Sequence, residues 1–174
     1  MIHTFITHRH IFHADDVLSF ALVRKYINPE LKLKRMAHYV KSDALDAQTI
    51  MVDVGRKYDG KQYFDHHQDS HLPASCVLIL DIIPIDELLK DFFKSKMRVV
   101  SDTDRGLTQN KLAHMEVDMG EIISLNKIIK SFNRQPKDHA LQKQQFLMAA
   151  DLCDQLIDNW VHEFEYQPKY MSLK

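Results

Sequence analysis

Residues 49 to 54 read Thr49-Ile50-Met51-Val52-Asp53-Val54, and the fold turns on this run. Its apolar residues are nearly continuous rather than alternating. That pattern predicts a strand covered on both faces, as in a parallel sheet. Upstream, Ile2 to Ile6 reads as a short strand leading into a His-rich loop. Ala14 to Ile27 has helical spacing, with Leu18, Ala21, Leu22 and Lys25 on one face. Asp15 and Asp16 fall in its first turn, where the helix dipole favours them, and Asn28-Pro29 ends it. Residues 33 to 40 read as a second strand. Downstream, the Asp59-Gly60 turn precedes a short strand at Gln62 to Phe64. Pro73 suits the first turn of a helix through Ser75 to Ile83, Pro84 ends it, and Asp86 to Lys96 reads as another. Val99 and Val100 lead into Ser101-Asp102-Thr103-Asp104. Alternating strands and helices predict an α/β fold, with a mostly parallel sheet flanked by helices.

The C-terminal third reads as helical throughout. One segment is Ile122 to Ile129, and another runs from about Asp138 to Phe164. The latter carries Phe146, Ala149, Ala150, Cys153, Leu156, Ile157, Trp160, Val161 and Phe164 on one stripe. The stripe reads as core, with a homodimer seam as the alternative. The expected organisation is an α/β metal-binding domain over residues 1–110. A helical extension over 111–174 packs on it or on a second subunit.

Composition narrows the function classes. The 174 residues are 45% hydrophobic and 27% charged, and the net charge is -1. That suits a folded domain and argues against a bulk nucleic-acid coat protein or a polybasic membrane binder. Cys76 and Cys153 are too few and too far apart for a disulfide framework or a zinc ribbon. Met1 to His10 has neither a basic start nor a long apolar run, so no signal peptide is expected. No apolar run approaches the ~20 residues needed to span a bilayer. The expectation is a cytoplasmic protein with no membrane partner.

Histidine is abundant, at 11 residues, and most lie in the first 71. Four patches hold metal-type ligands, each expected at a strand end. They are His8-Arg9-His10-Ile11-Phe12-His13-Ala14-Asp15, Asp53, Asp65-His66-His67 and Asp102-Thr103-Asp104. In an open α/β sheet, ligands gather beyond the carboxyl ends of the strands where strand order reverses. His8, His13, Asp15, Asp53, His66 and Asp102 give six side chains, more than one zinc takes. They fit two ions sharing a carboxylate, a pair suited to activating water and stabilising a leaving oxygen. Mixed His and Asp donors favour borderline ions: Mn²⁺ first, with Mg²⁺, Zn²⁺, Fe²⁺ and Co²⁺ as alternatives. His3, His38, His71, His114, His139 and His162 read as structural, solvated or surface residues.

The order of the patches resembles the DHH phosphoesterase superfamily, and within it the melanocyte proliferating gene family of metal-dependent hydrolases. Three segments carry the resemblance: Thr7-His8-Arg9-His10-Ile11-Phe12-His13-Ala14-Asp15, Val52-Asp53-Val54-Gly55-Arg56-Lys57-Tyr58-Asp59 and Phe64-Asp65-His66-His67-Gln68. Ala74-Ser75-Cys76, Asp104-Arg105-Gly106 and the segment from Leu125 to Asn133 extend it more loosely, to about residue 135. The family's glycine in the first motif is His10 here, preceded by Arg9. Family members are longer, and superfamily members usually add a C-terminal domain that closes over the cleft.

The resemblance implies a DHH-type domain and a role for each residue. His8 and His13 would hold one metal, with Asp15 near the other, Asp53 bridging and His66 on the second ion. His67 would face a substrate phosphate, and Asp65 would orient the pair from behind. Asp102 is the preferred fourth-patch ligand, with Asp104 as the alternative. Arg105 and Arg9 are candidate phosphate contacts. The expected function is a two-metal, metal-dependent phosphoesterase, exonuclease-like, acting on a nucleotide or short oligonucleotide, with His67 and Asp53 at the reaction centre. A pyrophosphatase-like phosphoanhydride hydrolase and a non-catalytic metal- or nucleotide-binding module are the alternatives.

Overall fold

A computed structural model describes residues 1–36, 45–107 and 124–171, with side chains to 166. Four strands form one sheet: β1 (Thr4–His8), β2 (Lys32–Met36), β3 (Thr49–Val52) and β4 (Tyr63–Phe64). Their order is β2-β1-β3-β4, and every neighbouring pair is parallel. The helices are α1 (Ala14–Tyr26), α2 (Ser75–Leu78) with a 3-10 turn at Ile79–Ile82, α3 (Glu87–Asp104), α4 (Leu125–Lys130) and α5 (His139–Met171). This is an α/β fold with a helical C-terminal part. Among the described residues, no helix is long and apolar enough to cross a membrane.

The run at 49–52 is buried at all four positions, as its composition requires. Ile50 and Val52 face the main core. Met51 meets Ile6 and Tyr63 in a smaller cluster on the other face, flanked by Met36, Leu45 and Val54. The short strand at 63–64 runs parallel to β3, with Met51 opposite Tyr63 and Val52 opposite Phe64, so Asp59-Gly60 is not a simple hairpin turn. The Asp59 carboxylate instead accepts the backbone N–H groups of Lys61, Gln62 and Tyr63, and carries the chain back to start a parallel strand.

Ala14 to Val23 is buried without a break, so α1 is the central helix of the protein. It lies between the sheet and α5. Phe20 meets Phe5 of β1 edge-on at 5.3 Å and Phe146 of α5 at 5.6 Å. The C-terminal stripe is core: Phe146, Ala149, Ala150, Cys153 and Ile157 are buried. Farther along α5, Trp160 packs on Phe93 and Phe164 on Phe92, both from α3.

Boundaries differ from the sequence reading where propensity and packing compete. The helix expected at Asp86 to Lys96 continues to Asp104, because Leu89, Phe93, Met97 and Val100 keep one buried face. The helix expected at Ser75 to Ile83 splits into α2 and a 3-10 turn. Residues 37–40 of the expected second strand, the domain boundary near 110, His38, His114 and the first residues of the helix expected at 122–129 lie outside the described residues.

Candidate metal centre

β1 sits between β2 and β3, so the chain leaves it by α1 toward one side and later returns on the other. The carboxyl ends of β1 and β3 therefore flank the point where strand order reverses. They deliver His8 and Asp53. The end of β4 delivers Asp65, His66 and His67, the start of α1 delivers His13 to Asp16, and the end of α3 delivers Asp104.

Asp53 is the hub. His8 Nε2 lies 3.3 Å from its Oδ2, while His66 Nδ1 and His67 Nδ1 lie 3.9 and 3.5 Å from its Oδ1. Its φ is +56°, followed by Gly55 at +106° and Arg56 at +51°. Aspartate is among the few side chains that tolerate the left-handed region, and such backbone is held only where the surroundings demand it. The turn keeps the carboxylate at the mouth of the sheet.

Asp104 closes the other side. Its carboxylate lies 3.1 Å from His66 Nε2 and 3.6 Å from His13 Nδ1. Asp102, the preferred ligand on sequence, joins no such group among the described residues. The reason is helical: two residues span about 200° on an α-helix, so Asp102 and Asp104 point apart. The fourth patch sits at a helix end rather than a strand end. Arg105 donates to the Ser70 carbonyl at 2.7 Å and does not line the cavity. Arg9 does line it.

Asp15 and Asp16 are buried and have different tasks. The Asp15 oxygens accept the Ser75 and Cys76 N–H groups at 3.0 and 2.6 Å, tying α1 to α2, and Oδ2 lies 3.9 Å from His66 Nδ1. Asp16 accepts the His13 N–H at 2.8 Å and places Oδ2 3.5 Å from His8 Nε2. From sequence, Asp16 is only a favourable first-turn charge. The signal for it was the His13–Asp16 spacing, a capping geometry that leaves one carboxylate oxygen pointing at β1. Asp65 holds His67: it accepts the ring Nδ1–H at 2.7 Å, the backbone N–H at 3.0 Å, and the Arg56 N–H at 2.7 Å. His66 and His67 stack at 4.4 Å.

The electrostatics follow from packing several carboxylates into low dielectric. Burial, with Asp53 and Asp104 adding repulsion, pushes Asp15 up to about 8. Burial pushes Asp16 up to about 6 even though His8 opposes it. For His8, burial opposes charge, but Asp16 and Asp53 outweigh it and raise the pKa. His66 is raised likewise, mainly through Asp104. The hydrogen bond to Asp65 lifts His67 to about 9, so its ring is cationic at neutral pH.

These residues fit metal ions. Asp53 belongs to each of three groups whose ligand atoms lie within 4.8 Å of one another: with Asp65, His66 and His67; with Asp15, His66 and Asp104; and with His8 and Asp16. Buried Asp53 Oδ1, Asp16 Oδ2 and His8 Nδ1 have no hydrogen-bond partner. Buried acceptors are rarely left so. A divalent cation would satisfy the carboxylates and reverse the charge environment that burial makes costly.

Above the cluster lies an open cavity of about 810 Å³, lined by His8, Arg9, His10, His13, Asp53, His67 and Asp104, and on its far wall by Pro136 and His139. His139 is exposed, as expected of a surface residue, and it also lines the open cavity. The late segment also fastens the His-rich loop. Asn133 accepts from Phe12 N–H at 3.0 Å and donates to the Phe12 carbonyl at 3.1 Å, and Asn126 accepts from Ala14 N–H at 3.1 Å. His3, His71 and His162 are exposed.

Comparison with known proteins bears on the first part of this arrangement. A family model named MYG1_exonuc, described as an uncharacterised protein family (UPF0160), matches residues 4–75. That segment holds the first three patches; Asp104 lies outside it. The MYG1 protein YER156C of Saccharomyces cerevisiae is 40% identical over 62 residues, 36% of this chain and 18% of that protein. The MYG1 protein C694.04c of Schizosaccharomyces pombe is 45% identical over 65 residues, again 36% and 18%. The MYG1 exonuclease of Bos taurus is 38% identical over 65 residues, 37% of this chain and 16% of that protein. The chain thus spans less than a fifth of the length of these relatives. No solved structure matches it significantly.

Proposed function

We propose that this chain is a metal-dependent phosphodiesterase of DHH type, holding two divalent ions and cleaving nucleotide or oligonucleotide phosphodiesters. The observation that carries the reading is Asp53, shared by all three ligand groups, at the switch point of a parallel sheet beneath an open cavity. The name of the bovine relative, an exonuclease, supports the nucleic-acid direction. Six side chains would hold the ions: His8, His13, Asp15, Asp53, His66 and Asp104, with Asp16 beside His8. Bound divalent ions supply Lewis acidity, making water nucleophilic near neutral pH and screening charge on a phosphoryl group.

The chain's own residues do the rest. Asp53 and Asp104 fix the spacing of the histidines. His67 lines the cavity with Nδ1 committed to Asp65, which leaves Nε2 to bind a phosphate oxygen or, when protonated, to protonate a leaving alkoxide. Arg9 at the rim adds charge for the phosphate.

The test is metal content and turnover together. Wild-type protein purified without chelator should carry about two ions per chain and cleave a dinucleotide with Mn²⁺. Asp53→Ala and His66→Ala should lose turnover by about 100-fold or more with the fold retained. Asp104→Asn should lose metal and Asp102→Asn should not. Unchanged turnover in both Asp53→Ala and His66→Ala would sink the proposal, and hydrolysis of pyrophosphate but not dinucleotides would move it to a phosphoanhydride.

A further inference from the structure

The pairing of β1 with β2 gives out where the His-rich loop begins. At its end the Arg9 N–H donates to the Met36 carbonyl at 2.7 Å. Beyond that bond the backbone turns toward α1, and a side chain of β2 takes over from the ladder. Arg35 stands opposite Thr7, on the same sheet face as Leu33 of the main core. Its Nε donates to the His8 carbonyl at 3.1 Å, and its Nη2 donates to the His10 carbonyl. The same guanidinium lies over the Phe12 ring at 5.2 Å and the Phe146 ring at 5.5 Å. Gln142, one turn before Phe146 on α5, donates to the His10 carbonyl at 3.3 Å. Arg35 thus joins the edge strand, the loop and α5.

These contacts need a guanidinium. Its plane presents several donors in a rigid fork and stacks on aromatic faces, whereas an ammonium is one compact charge on a flexible stem. The fork holds the carbonyls at positions 8 and 10 together, and the orientation of that backbone decides where the His8 ring goes. His8 Nε2 lies 3.3 Å from the Asp53 carboxylate. Charge alone would set Arg35 against a metal, because a cation near the centre repels a divalent ion. What Arg35 offers the centre is therefore position rather than charge. We propose that Arg35 is a positioning residue of the metal centre, acting through the backbone of residues 8 to 10 to keep the His8 ring at Asp53. The inference rests on His8 and Asp53 being ligands, as in the proposed function.

The experiment is titration of the chelator-stripped full chain with Co²⁺, read by visible absorption, whose bands report the ligand set and its geometry. Arg35→Lys keeps the charge and loses the fork. It should keep the far-UV circular dichroism of the wild type, weaken Co²⁺ binding about 10-fold and shift the bands. Arg35→Ala should weaken binding at least as much, although removing a cation would by itself tighten it. Millimolar methylguanidinium should then restore affinity and bands to Arg35→Ala but not to Arg35→Lys, whose stem fills the space. Arg24→Lys takes a guanidinium off the Phe20 ring at the other end of α1 and should titrate as wild type. Should Arg35→Ala fail to fold, Arg35→Lys against Arg24→Lys decides alone. Wild-type affinity and bands in Arg35→Lys, or tighter binding by Arg35→Ala, overturn the proposal and leave the metal centre standing. Absence of Co²⁺ binding by the wild type removes the metal centre and this proposal with it.

Discussion

Asp16 carries two jobs that substitution can separate. Its carboxylate accepts the His13 N–H at the start of α1 and also reaches His8. Asp16→Asn keeps an acceptor for the cap but loses the charge, so it should fold with near-normal thermal stability yet bind less metal. Asp16→Ala loses both and should also cost about 1 kcal/mol. Thermal unfolding together with metal analysis separates the two effects. Protons compete for the same carboxylates. Asp15, raised from 3.8 to about 8, stabilises the metal-free fold fully below pH 3.8, and that contribution is lost as pH rises through 8. His67, raised from 6.5 to about 9, has the same sign: its contribution is full below 6.5 and lost through 9. The metal-free protein should therefore melt at lower temperature at pH 9 than at pH 6. Added Mn²⁺ should flatten that dependence, because the ion takes the place of the protons; a melting profile independent of pH in chelator would contradict this. At this scale the histidines and Asp53 were legible, because ligand-type residues are rare and their order is informative. The choice between Asp102 and Asp104 was not. It depends on how far α3 runs, and Val99-Val100 reads equally well as a strand; the structure leaves Val99 58% exposed and Val100 6%.

Among elements, the segment ending at Asn133 matters more than its length suggests. α4 has six residues and a Ser124 cap. Asn126 and Asn133 nonetheless satisfy three backbone groups of the loop that presents His8 to His13. Asn133→Ala strands the Phe12 N–H and carbonyl, which costs about 1–3 kcal/mol when such groups stay buried. The variant should melt earlier and hold metal less tightly, with the far-UV circular dichroism of the wild type. Asn133→Asp keeps the acceptor and should recover part of the loss. The loose resemblance over Leu125 to Asn133 marks the segment, but only the backbone contacts expose what Asn133 does there, because its partner lies 121 residues away.

For the whole molecule, the parallel sheet was readable from one apolar run, and the α5 stripe from its helical period. What composition could not give was where the stripe would land. It lands on α1, sealed by Phe146 against Phe12 and Phe20 and flanked by Arg24 with Asp151 and Asp154 and by Lys25 with Asp158. The exposed ion pairs contribute little; the ring contributes much. Phe146→Ala should cost about 3–5 kcal/mol in denaturant unfolding, and a loss below about 1 kcal/mol would mean that α5 is only loosely attached. The same docking has a consequence for the order of events during synthesis. The first three patches emerge from the ribosome with residues 4 to 75, but Asp104, the Asn133 clasp and the His139 wall follow much later. A nascent chain therefore exposes histidines and aspartates well before it can cage an ion, and acquisition of the metal should coincide with the arrival of α5 rather than with completion of the sheet.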